Sequence, residues 1–168
     1  LIGNEAGDAV QLAPGLGFFP GALIDQHFGE RARLGRLVAA LSLYPDADQR
    51  IGMGVDEDTA LLIAEDIRVV GRGFVTIVDA RNASLSRNED GALRADGLTL
   101  HLAGAGDQIH PETFVPSPAE WRDATVGNEY FQTARPSGGG MAVPPDTLTS
   151  VIGEALIDNE ESQSVSRI

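Results

Sequence analysis

The chain contains neither cysteine nor lysine. Without cysteine it has no disulfide and no thiolate metal site, and its redox compartment cannot be inferred. All 12 basic side chains are arginine, set against 25 acidic ones, for a net charge of -13. That balance excludes the broad basic surface that nucleic-acid binding requires. The exclusive use of arginine fits a GC-rich coding sequence or, as a lesser alternative, a salt-adapted host. No apolar run approaches the length of a membrane span, so neither nucleic acid nor membrane is an expected partner. No internal repeat is present. No Gly-x-Ser-x-Gly nucleophile elbow occurs anywhere in the sequence. No secretory leader is visible. A cytoplasmic location is expected, with secretion left open because the first residue is Leu1.

What is present suffices for a packed core: 168 residues, 42% of them hydrophobic. Residues 10–21 read as a short strand and a tight loop leading into a strand that ends at Ile24. The spacing of Leu34, Leu37, Val38 and Leu41 predicts a helix from Glu30 to Tyr44, stopped by Pro45-Asp46. Ile51–Val55, Ala60–Ala64, Ile67–Val70 and Phe74–Val78 read as a meander of short strands with acidic turns. Asn82–Asp96 reads as a loop with a turn near Asn88–Gly91, Leu98–Leu102 as one last strand, and 104–118 as loop. Three segments are expected: an α/β part over 1–115, a loop and glycine-proline linker over 116–145, and a C-terminal helix with a polar tail over 146–168. The apolar stripe of that last helix could cover the sheet or form a homodimer contact.

The densest chemistry lies in Asp25-Gln26-His27-Phe28-Gly29-Glu30-Arg31-Ala32-Arg33-Leu34-Gly35-Arg36-Leu37. It falls where a strand hands over to a helix, the place where open α/β sheets hold their ligands. An imidazole there can move protons near neutral pH, and guanidinium forks can hold carboxylates. A lone histidine at a strand end is often purely structural, but Asp25 and Gln26 on the same turn offer the orienting partners that a catalytic imidazole needs. On helical geometry Arg31 falls within the apolar stripe and Arg33 and Arg36 at its rim. Arg31 is therefore the arginine most expected in a cleft, while Arg33 could equally belong to a solvated face, and a second structural reading pairs these arginines with Asp56, Glu57 or Asp58. His101, Asp107 and His110 have metal-ligand residue types, but nothing in their spacing is diagnostic, and no metal or cofactor is expected.

Leu12–Gly21, Asp25–Leu37 and Ile51–Leu61 together resemble cyanophycinase, closely from about Val10 to Leu62 and fading after about Thr113. Cyanophycinases and aspartyl dipeptidases form one family of serine exopeptidases. The resemblance implies a three-layer flavodoxin-like, class I glutamine amidotransferase-like α/β sheet, here expected to be incomplete at the N-terminus. It implies His27 as the catalytic histidine, Asp25, Gln26, Arg31, Arg33 and Arg36 as pocket residues, and cyanophycin or a β-aspartyl peptide as substrate. In family order the serine and the acid precede the histidine. The serine elbow is thus expected on a missing segment ahead of Leu1, with Glu5 as the acid and Asp8 as a competitor. On its own this polypeptide is then expected to be inactive. A related dipeptidase or amidohydrolase, or a non-catalytic binding module on the same scaffold, are the alternatives.

Overall fold

The computed structural model describes residues 10–89, 91–123, 125–133, 153–154 and 157–160. Its elements run β1 (Leu23–Gln26), α1 (Leu34–Leu41), β2 (Ile51–Val55), β3 (Thr59–Ile63), β4 (Ile67–Gly71) and β5 (Val75–Asp79). They continue with β6 (Ser84–Arg87), β7 (Leu93–Asp96), β8 (Thr99–Ala103), β9 (Gln108–Ile109) and β10 (Pro116–Ser117). One sheet has the order β1-β2-β5-β8, with β1 parallel to β2 and the remaining pairs antiparallel. A second, antiparallel sheet has the order β10-β9-β4-β3, and β6 and β7 form a hairpin. The class is mixed α/β, as the sequence led us to expect.

The alternation of β2, Ile51-Gly52-Met53-Gly54-Val55, explains the layering, because successive side chains of a strand point to opposite faces. Its large residues meet Ile67, Val69, Ile109 and Phe114 of the second sheet and its approaches. Its glycines face the other way, where α1 and Phe28 press against the strand. A Cβ on Gly52 would lie 2.9 Å from the Leu37 side chain. The helix buries Leu34, Leu37, Val38 and Leu41, the stripe its spacing predicts. The main sheet is therefore covered by a helix on one face and by a second sheet on the other.

Several local expectations need correction. The helix begins at Leu34 and not at Glu30, because the preceding residues turn twice. Ala32 N donates to Gly29 O, Arg33 N donates to Phe28 O, and Ala32 has φ +45, which no helix accommodates. It ends at Leu41, with Ser42 as its cap. Residues 10–21 hold no strand beyond a single bridge residue at Gln11. The stretch read as a loop over Asn82–Asp96 contains the β6–β7 hairpin, whose Leu85, Leu93 and Ala95 pack on the helix side of the core. Its turn lies where expected, with Asn88 Oδ1 accepting from Ala92 N. Within 104–118 the short strands β9 and β10 pair with each other, and Pro116 occupies an edge position, where its missing N–H costs no ladder bond. Of the expected loop and linker over 116–145, residues 124 and 134–145 lie outside the described residues, as does most of the expected helix and polar tail over 146–168.

Candidate functional site

Because β1 and β2 run parallel, with Gln26 opposite Val55, their carboxyl ends open on the same side. His27 is the first residue beyond β1, and Asp56, Glu57 and Asp58 follow β2. Backbone and carboxylate bonds pin the loop. Phe28 N donates to Val55 O, Gly29 N donates to Asp56 Oδ1 at 2.8 Å, and Phe74 N donates to Asp56 Oδ2 at 3.2 Å. Phe28 itself is fully buried. His27 takes a left-handed backbone, φ +54, a strain on the order of 1 kcal/mol for a residue bearing a Cβ. That turn sends Phe28 inward while the imidazole faces solvent with 51% of its side chain exposed.

The imidazole meets a carboxylate from the other strand. His27 Nδ1 lies 2.7 Å from Glu57 Oε1. An ionised carboxylate only accepts, so Nδ1 is the donor of this bond, and in the neutral ring the lone pair is on Nε2. Thr59 Oγ1 donates to Glu57 O and fixes the turn that carries this acid. Burial pushes the Glu57 carboxyl up, but hydrogen bonds from Glu30, from its own backbone N–H and from His27, with the charge of His27, outweigh it and hold the group below the usual range. Glu30 is raised by its hydrogen bond to Glu57, then by the Glu57 charge and by burial, against the pull of His27 and Arg31. One ligand atom each from His27, Glu30 and Glu57 lie within 4.8 Å of one another, the one such group of three among the described residues.

The other motif residues divide between inside and outside. Asp25 is buried, at 4% exposure, and its Oδ1 accepts from Arg33 at 3.0 Å and from Arg36 at 3.3 Å. Asp25 Oδ2 is buried without a hydrogen-bond partner. Arg33 also donates to Gln26 O. The expectation that Asp25 is a pocket residue therefore meets a carboxylate already engaged by two arginines of its own chain. Arg31 stands exposed in the turn ahead of α1, not on a helical stripe, and Gln26 is also exposed. Glu5 and Asp8 lie outside the described residues.

The remaining histidines stand elsewhere. His110 is exposed, and its Nδ1 accepts from Glu112 N and Thr113 N. His101 sits on β8 opposite Ile77, and burial lowers its pKa against a partial upward pull from Asp79. It lines a cavity of about 650 Å³ beside β8, together with Phe74, Leu102, Asp107 and Arg122. Asp107 is bound by Gly104 N, Ala119 N and Arg122.

Sequence reasoning missed Glu57 and Glu30. Glu57 is 30 residues from His27, and only the pairing of β1 with β2 brings them together. The available signal was an acidic triplet directly after a strand that could lie parallel to the one bearing His27.

No protein-family model matches the chain. Among curated proteins, a cyanophycinase of Geminocystis herdmanii is 37% identical over 127 residues, covering 69% of this chain and 46% of that protein. A cyanophycinase of Synechococcus elongatus is 44% identical over 112 residues, covering 62% and 34%, and one of Trichormus variabilis is 39% identical over 109 residues, covering 60% and 35%. The chain thus spans less than half the length of these relatives. Over the aligned majority of its residues, this chain is cyanophycinase-like in sequence.

Proposed function

We propose that this chain carries the proton-transfer group and part of the substrate pocket of a serine-type hydrolase that degrades cyanophycin. The observation that carries the reading is the His27–Glu57 contact at the shared carboxyl ends of two parallel strands, with half of the His27 side chain exposed. In this mechanism Nε2 of His27 takes the proton of a serine hydroxyl as its oxygen attacks the scissile carbonyl. Backbone N–H groups hold the oxyanion, and His27 then protonates the leaving amine. Water repeats the sequence on the acyl-enzyme. Glu57 keeps the proton on Nδ1 and steadies the imidazolium when it forms. It takes the role that the sequence suggested for Glu5.

We take the serine to come from outside the described residues. Ser42 caps α1 and donates to Ala39 O, Ser84 and Ser86 lie on β6, and Ser117 lies on β10, so none of these opens a helix after a strand. The alignments cover less than half of each relative's length, which leaves room for such an elbow. The substrate class follows the relatives' name and the family resemblance: an aspartate backbone bearing arginines, cleaved to β-aspartyl-arginine. Arg31, exposed beside the His27 turn, is the guanidinium placed to hold a substrate carboxylate.

The test is release of β-aspartyl-arginine from cyanophycin, with this sequence joined to the serine-bearing segment. His27→Gln and Glu57→Gln are expected to lower kcat by about 10²–10⁴-fold, the usual worth of positioned proton transfer. The isolated chain is expected to release none. Undiminished turnover by His27→Gln would refute the assignment, and turnover by the isolated chain would refute the externally supplied serine.

A further inference from the structure

We propose that His27, Glu30 and Glu57 form a binding site for a first-row divalent cation of the Zn²⁺ type, and that an ion there switches off proton transfer at His27. The inhibitory half rests on the hydrolase reading above, whereas the binding half does not.

One imidazole nitrogen and two carboxylate oxygens form a mixed donor set that suits zinc and its neighbours better than the all-oxygen cations Mg²⁺ and Ca²⁺. Metal–ligand bonds of about 2.0–2.2 Å place the ligand atoms roughly 3–4 Å apart. The three ligand atoms all lie within 4.8 Å of one another, and the hydrogen-bonded His27–Glu57 pair, at 2.7 Å, has to open slightly to admit an ion. Glu30 is exposed and can adjust by a rotamer change. Two of the three donors are held by backbone: His27 by its left-handed turn and Glu57 by the Thr59 bond at the end of β2. Three protein ligands leave a fourth position for water.

The consequence for His27 is the loss of its carboxylate partner. Without metal, the ring meets Glu57 through Nδ1 at 2.7 Å. A cation held by Nδ1 and by Glu57 takes both groups out of that contact, so the imidazole loses the acid that orients it for proton transfer.

Calorimetric titration of Zn²⁺ into the 168-residue chain tests the binding half without any turnover. One ion per chain is expected, with affinity at least tenfold weaker in Glu30→Gln and in Glu57→Gln and unchanged in the distant His110→Ala. Circular dichroism verifies that the variants are folded. No binding, equal binding by Glu30→Gln, or weaker binding by His110→Ala overturns the site. In the complete enzyme, Zn²⁺ is expected to stop cyanophycin hydrolysis reversibly, with EDTA restoring it, and Glu30→Gln is expected to require at least tenfold more Zn²⁺. Binding at the site without loss of turnover overturns the inhibitory half and leaves the hydrolase reading standing. Absence of turnover in the metal-free enzyme fails that reading instead.

Discussion

A Cβ placed on Gly54 would lie 2.1 Å from Cγ of the Phe28 ring. The ring is fully buried and directly follows His27, so this contact fixes where the imidazole emerges from the sheet.

Gly54→Ala is therefore expected to destabilise the protein by about 1–3 kcal/mol, because neither the ring nor the strand has space to yield. The loop carrying His27 should be displaced with it. Urea unfolding measures the first effect, and the His27 imidazole NMR signals report the second. An unchanged midpoint would show that Phe28 can repack.

Asp25 and Arg31 belong to the same motif but should behave differently. Asp25→Ala leaves Arg33 and Arg36, with side chains only 16% and 21% exposed, without their shared carboxylate. A loss of about 1–3 kcal/mol is expected, because two partly buried guanidinium groups lose a shared charged acceptor. Chemical denaturation of the variant against the parent provides the measurement.

Arg31→Ala is expected to leave stability within about 0.5 kcal/mol of the parent, as for other exposed positions. In the complete enzyme it should raise KM about tenfold for carboxylate-bearing peptides while leaving uncharged analogues unaffected. Steady-state kinetics on the two substrate classes separates this role from the structural one of Arg33. Equal loss on both classes would remove Arg31 from carboxylate recognition.

His101 should give stability a pH dependence. Burial holds its folded pKa below the ordinary 6.5. As pH falls through that value, the unfolded chain takes up a proton that the folded chain resists, so stability falls with pH until the lowered folded pKa is reached. Urea midpoints measured across this window should decline toward acid, and His101→Gln should flatten the decline. A midpoint that rises toward acid would contradict the burial of the ring.

The stripe on α1 and the strands β2, β4, β5 and β8 were legible in sequence because their periodicity is the direct imprint of what they bury. The β6–β7 hairpin was not, because one of its faces is polar and serine-rich and its apolar residues are few. The helix start was misplaced because periodicity does not register the positive φ of Ala32. His27 stood out through its company in the chain. The inward role of Asp25 did not, because a carboxylate near three arginines can serve a ligand or its own protein equally well until the fold shows which way it points.

Sequence by itself determined the composition limits, the alternating glycines of β2 that admit Phe28 and Leu37, and the placing of an imidazole where a strand ends. These are local properties, set by neighbours along the chain and by the twofold or 3.6-fold repeat of backbone geometry. Tertiary structure alone decided that Glu57 holds that imidazole, that Glu30 joins them, and that Asp25 is spent on Arg33 and Arg36. The reason is physical: the parallel pairing of β1 with β2 sets the ends of distant segments side by side, and no local pattern encodes which carboxylate then meets the ring.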